Sequence, residues 1–306
     1  MSLSQSSTNG AMPSRHPEPT AVVARGWFCL AALVTLAALG CDSKLVLGTW
    51  TCPLPDSSAA GAGNSASVGG GAATDSSVSG ATTDVPVEWS TSFEDGFCDF
   101  IAAGGSCYSH PADSPNASYD LVDTQAPVHS GRYAAAFRVK PGRDVHTRCY
   151  LQGRFPKQAT YGAWYYIPAV AKTSGNWNLL HFERRRRSNS AGPLDNLWDI
   201  SLENDDTGGL RLRVWAPDTM GAVQGQLPSI PIGEWFHIEV TLRFAADATG
   251  EVGVFLNGKR YAGASGIVTD YADSEWGKWF VGNLAEALDP PQSIVYVDDV
   301  SIKPAP

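Results

Sequence analysis

"WFHIEVTLRFAADATGEVGVFLNGKRY", residues 235–261, decides the fold class. Through Phe236, Ile238, Val240 and Leu242 apolar side chains alternate with polar ones, the period of a strand with one buried face. A turn of Asp, Ala, Thr and Gly follows, then a second apolar-rich run closed by "NG". Working outward, runs of the same kind recur: "VEWSTSFE", "YAAAFRV", "TRCYLQGRF", "YGAWYYI", "WNLLHFE", "LWDISLE", "LRLRVWA", "KWFVGN" and "IVYVDDVSI". Gly, Pro, Asp or Asn separate them, and no long amphipathic helix competes. Many short strands broken by turn signals predict an all-β sandwich or barrel. It should occupy residues 87–306, about 220 residues and ordinary for one such domain.

The first 86 residues read differently. "WFCLAALVTLAALGC", residues 27–41, is apolar for about 14 residues, too short to span a bilayer and suited to a signal-peptide core. Its end, "ALGC", resembles the lipobox of bacterial lipoproteins, which makes 1–40 a signal peptide and Cys41 the lipidated first residue. Cleavage near Gly40 followed by free secretion is the other reading. Residues 41–86 then form a linker, rich in Gly, Ala, Ser and Thr between 56 and 84 and too poor in apolar surface to offset its ordering entropy. The expected location is the bacterial cell envelope.

Six cysteines fit export. With Cys29 in the signal and Cys41 lipidated, Cys52, Cys98, Cys107 and Cys149 remain, and four cysteines allow three pairings. Cys98 or Cys107 is expected to bridge to Cys149. The spacing of Cys and His does not suggest zinc, and a formal charge of −9 argues against nucleic acid as partner.

"FEDG", "SGRYAAAF", "GAWYYIP", "GEWFHIEVTLR", "EVGVFLNGKRY" and "VYVDDVSI" together resemble the concanavalin A-like lectin/glucanase superfamily, near its laminin-G-like and jelly-roll polysaccharide lyase branches. The resemblance covers roughly residues 88–303. It implies a two-sheet antiparallel jelly roll whose concave sheet faces a ligand groove. Alternation then assigns faces. Leu180, Phe182, Trp198, Ile200, Leu202, Leu210, Leu212, Val214, Leu151 and Phe155 point to the core. Trp177, His181 and Glu183 point outward, as do Asp199, Ser201, Glu203, Arg211, Arg213, Trp215, Tyr150, Gln152 and Arg154.

Three chemistries meet this groove. A glycosidase needs a pair of carboxylates flanking the scissile bond, but "DISLE" offers Asp199, Ser201 and Glu203, with serine at the middle position. A polysaccharide lyase needs a carboxylate neutraliser, a base and an acid. By the resemblance, Gln152, Arg154, His181 and Tyr166 supply those types, although Leu179 and Leu284 stand where such lyases carry Gln and Tyr. The leading expectation is a polysaccharide-binding groove without catalysis, lined by Trp177, His181, Asp199, Glu203, Arg211, Arg213 and Trp215, its glycan neutral or acidic. A structural or adhesion module is a further alternative. The arginines of "ERRRR" (183–187) either form a solvated charge run or steer an anionic polymer. No cofactor is required. A structural calcium between Glu94, Asp298 and Asp299 is implied by the resemblance, beside the plain reading of turn and edge-strand acids.

Overall fold

The computed structural model describes Cys52 and residues 83–305, except 113, 143, 218–222 and 224–227. The expected signal peptide, Cys41 and residues 53–82 of the expected linker lie outside these residues.

Alternating runs become strands in two sheets. The larger sheet runs, edge to edge, β13 (Lys259–Ile267), β12 (Gly250–Leu256), β11 (Trp235–Arg243), β6 (Gln158–Tyr166), β16 (Ser293–Pro304), β4 (Ala134–Val139) and β3 (Ala117–Val122). Short β1 (Trp89–Thr91) adds to β16. The second sheet runs β10 (Leu210–Trp215), β9 (Asp195–Asn204), β8 (Trp177–Arg186), β14 (Ser274–Ala285), β5 (His146–Gly153) and β2 (Ser106–His110). A small ribbon joins β7 (Lys172–Thr173) to β15 (Leu288–Asp289), and α1 (Cys98–Ala102) is a single helical turn. Strand pairs are antiparallel and sheet neighbours are mostly far apart in sequence, as β14 between β8 and β5 shows. This is an all-β, two-sheet antiparallel jelly-roll sandwich, as expected.

The core lies between the sheets. Leu151, Leu180, Phe182, Trp198, Ile200 and Trp279 project from one, and Tyr161, Tyr165, Phe236, Ile238, Val240 and Val297 from the other, all buried. Tyr161 bridges the layers, its ring 4.9 Å from Phe182 and 5.0 Å from Trp279. Burying each such side chain contributes about 1.5–3 kcal/mol. Asn283 is the polar tie. It accepts a hydrogen bond from Trp177 Nε1 at 3.1 Å and donates to Phe137 O at 3.0 Å and Ser293 Oγ at 2.8 Å, joining β8, β14, β4 and β16.

Trp177 corrects the face assignment. It was expected on the outer face, and it is 1% exposed. Between β8 and β9 the register passes from Leu180↔Ile200 directly to Asn178↔Ser201, so Leu179 is an extra residue. Such a bulge reverses the alternation beyond it. Trp177 therefore turns into the core opposite Ala285, and Asn178 takes the outward position.

The arginine run is also placed differently from a steering patch. Arg184 is buried and makes a two-pronged pair with Asp270, at 3.1 and 2.7 Å, its guanidinium over Phe155 and Phe244. Arg185 donates to the carbonyls of Asn189 and Gly192. Arg186 pairs with Asp273 at 2.9 Å and Arg187 with Glu275 at 3.4 Å. Arg184 and Arg186 staple β8 to the segment entering β14, Arg185 ties it to the connection toward β9, and only Arg187, with 79% of its side chain exposed, stands free of the surface.

Cys107 and Cys149 face each other on β2 and β5 and are disulfide-bonded, one of the expected bridges. Cys98 pairs with Cys52 instead of Cys149. Among the sequence runs, β2 and β3 had not been read as strands: "SCYSH" offers no apolar alternation to find.

Candidate functional site

The outer face of the six-stranded sheet gathers the polar chemistry. Register sets one row across five strands: Trp215, Asp199, His181, Phe280 and Tyr150. On one side lie Glu183, Lys278 and Gln152. On the other lie Arg213, Ser201 and Asn178, and beyond them the Glu203–Arg211 ion pair at 2.8 Å. Next to β14, Arg148 and Tyr108 stand opposite each other, followed by His146 and His110.

At the centre, His181 is clasped by two acids. Its Nδ1 bonds Asp199 and its Nε2 lies 3.0 Å from Glu183 Oε1, while Asn178 Nδ2 also donates to Asp199. Burial alone would depress the imidazole's pKa. The charge and hydrogen bond of Asp199, followed by those of Glu183, outweigh that and lift it to about 9. His181 is thus an imidazolium at neutral pH with both N–H groups engaged. Burial raises Glu183, but its bond to His181 and that ring's charge pull it net below the usual range. Such a histidine is a fixed positive charge, not an available base.

The β2–β5 end differs. His146 Nε2 lies 3.2 Å from Tyr108 Oη, and its ring stacks on His110 at 5.1 Å. Burial first, then the charges of Arg148 and His110, hold its pKa down to about 3, so His146 is neutral and shares a hydrogen bond with Tyr108 through Nε2. Arg148 donates to Tyr108 Oη at 3.3 Å and lies 4.3 Å above the Phe280 ring. It is 6% exposed and its Nε has no hydrogen-bond partner. Among the described residues no acid pairs with it. Gly282 makes this fit possible, since a Cβ there would come within 2.7 Å of Arg148 Cα. Beside it, Lys278 Nζ sits 4.5 Å over the Tyr150 ring.

Of the residues expected in the groove, His181, Asp199, Glu203, Arg211, Arg213 and Trp215 share this face, with Trp215 half-buried opposite Asp199. Gln152 joins them. Arg154 does not: it follows the end of β5, is exposed, and uses its backbone to hold residues 83–85. Tyr166 lies on the other sheet, between Trp235 and Tyr296. Tyr108, His146, Arg148, Asn178, Lys278 and Phe280 were not anticipated. Arg148 was legible, being two residues before outward-facing Tyr150.

The acids considered for calcium serve a loop. Glu94 Oε1 accepts from the backbone of Arg132 and Tyr133, and Asp298 Oδ2 from that of His129 and Ser130. Asp299 binds His129 Nδ1 at 2.6 Å. Gly131, at φ +66°, leaves the space Glu94 occupies. Among the described residues no group of three or more His, Cys, Asp or Glu side chains is arranged to hold a metal. The aromatics of the eight-stranded sheet pack on themselves: Tyr166 meets Trp235 at 59° and Tyr296 at 80°, and Trp164 lies between His129 and His237. They offer no flat platform.

No family model matches the chain, and no curated protein matches it. Solved structures do. An endo-β-1,4-glucuronan lyase from the fungus Trichoderma reesei is similar at 15% identity and a TM-score of 0.48, over 65% of this chain and 95% of that one. An alginate lyase from Aplysia kurodai is similar at 11% identity and a TM-score of 0.43, over 61% and 87%. An alginate lyase from Zobellia galactanivorans is similar at 13% identity and a TM-score of 0.39, over 63% and 97%.

Proposed function

We propose that the outer face of the six-stranded sheet binds an acidic polysaccharide, with Arg148 as the anion anchor. One observation carries this: Arg148 is 6% exposed, its Nε is unpartnered and, among the described residues, no acid forms an ion pair with it, Glu183 being reached only by its longer-range charge. An unpaired buried charge costs several kcal/mol, and a ligand carboxylate would supply both the missing charge and the missing acceptor. Phe280 and Tyr150 give rings for sugar faces to pack on, and Lys278 adds a second cation. Export, with a lipid on Cys41, would hold this groove at the cell envelope. That location follows from the apolar run ending at Cys41.

A second reading is favoured by the Tyr108–His146 bond. A phenol between a guanidinium and a neutral imidazole is arranged to exchange a proton, as β-elimination requires. In that reaction the carbon beside the sugar carboxylate loses its proton, a carbon–carbon double bond forms, and the bond to the leaving oxygen breaks as that oxygen gains a proton. Arg148 would neutralise the carboxylate and Tyr108, held in place by its hydrogen bond with His146, would carry the proton from carbon to the leaving oxygen.

The test is retention on immobilised polyuronate and on neutral glucan, together with the ultraviolet absorbance of unsaturated sugar. Retention on polyuronate, weakened by salt and abolished by Arg148→Ala but not by Arg187→Ala, supports the binding groove. Absorbance that grows with time and disappears in Tyr108→Phe establishes the lyase. Absence of retention on polyuronate together with unchanged absorbance overturns both.

A further inference from the structure

Cys52 is covalently joined to Cys98, and this changes what lies between the N-terminus and the domain. Cys98 begins α1, which is fixed to the sandwich by Phe100, fully buried against Trp89 at 4.9 Å. The chain is held again at 83–85. Arg154 N donates to Thr83 O at 3.0 Å, Val85 N donates to Arg154 O at 2.8 Å, and the Val85 side chain is buried. Both ends of the segment 53–82 are therefore attached to one rigid body. A force or a length applied from upstream of residue 52 reaches the domain through the sulfurs and bypasses that segment.

We infer that the Cys52–Cys98 disulfide sets how far the domain stands from whatever holds its N-terminus, and that reduction lengthens that reach. The inference rests on the anchoring at Cys41 proposed above. From Cys41 to Cys52 is eleven residues, at most about 40 Å when fully extended. With the bond open the path runs on to Thr83, and its limit rises nearly fourfold, to about 150 Å. Reduction needs a dithiol. Its thiolate attacks one sulfur, the S–S bond breaks, and the reductant leaves as its own disulfide, delivering two electrons and two protons to give two free thiols. The two bridges differ in access: Cys52 and Cys98 are both half-buried, whereas the second bridge joins half-buried Cys107 to Cys149, which is wholly buried within the sheet. The first should open before the second.

The experiment uses the full chain, with a protease recognition sequence inserted after Gly70, in membranes from an exporting host. Protease should leave the domain on the membrane, and subsequent dithiol should release it. In the Cys52→Ser variant, protease alone should release it. Release of the cysteine-intact protein by protease alone overturns the inference. Without cleavage, energy transfer from a donor on the domain to acceptor lipids should fall on reduction, and should be insensitive to reductant in Cys52→Ser. Transfer that does not change on reduction also overturns it. If the uncut protein is not on membranes at all, the anchoring reading fails and the reach argument with it. Non-reducing electrophoresis of the cut protein separates that failure from a missing disulfide, because the two pieces migrate as one only if the sulfurs are joined.

Discussion

Replacing Asp199 by Asn should flatten the alkaline limb of the stability profile. His181 is buried, and its pKa is raised from the ordinary 6.5 to about 9, with Asp199 the largest favourable influence. A group raised on folding contributes stability that is fully present below pH 6.5 and is lost as pH rises through 9. Each pKa unit corresponds to about 1.4 kcal/mol, so the protein should lose about 3 kcal/mol between pH 6 and pH 10 from this site. Asn keeps the shape and an acceptor for Nδ1 but removes the charge. Glu183 alone then opposes the burial cost, and less than half of that slope should survive. The assay is urea unfolding of both proteins at closely spaced pH values. The difference between the two free energies should be largest near pH 6 and shrink toward pH 10, and taking it cancels the other titrating groups. Parallel curves across that range would refute the claim that Asp199 holds His181 charged.

The acid side should behave oppositely at His146. Its pKa is lowered to about 3, so it costs stability as pH falls below 6.5, and His146→Phe should reduce that loss in the same unfolding assay. Asp270→Ala should destabilise by about 3–5 kcal/mol, read from the urea midpoint, because it strands the buried Arg184 charge. Arg187→Ala should change the midpoint by less than about 1 kcal/mol, because its ion pair is exposed. Tyr108→Phe should leave polyuronate retention close to wild type, since Arg148 keeps its charge and its place over Phe280.

Alternation carried the fold. The strands named from apolar periodicity all form, because a one-sided sheet leaves that period in the sequence wherever the face toward the core is continuous. It failed where the backbone departs from regular pairing. Leu179 looks like any core leucine, and nothing in "WNLLHFE" marks it as an unpaired extra residue. Trp177 was therefore assigned to solvent. The site was legible on β8, β9 and β10, where acids, His181 and arginines alternate with apolar residues. It was not legible on β2, whose Tyr108 and His110 sit among Ser and Cys. Nor could it reveal that Arg148 lacks an acid, because partners are set by the fold and not by neighbours in the chain. The arginine run misleads for the same reason: its counter-charges Asp270, Asp273 and Glu275 lie more than 80 residues on.

The extra residue in β8 has an evolutionary side. On this strand, what the groove displays depends on pairing register as well as residue identity. Deleting Leu179 would restore uninterrupted pairing with β9 and leave Asn178 outward opposite Ser201 and Trp177 inward, so the extra residue can be lost without changing what this wall displays. Pairing Leu179 with Ser201 in place of the bulge would instead send Asn178 inward and Trp177 out, exchanging an amide that holds Asp199 for an indole facing the ligand with no residue added or lost. A change of pairing at one position can therefore present an aromatic or a polar wall from the same sequence.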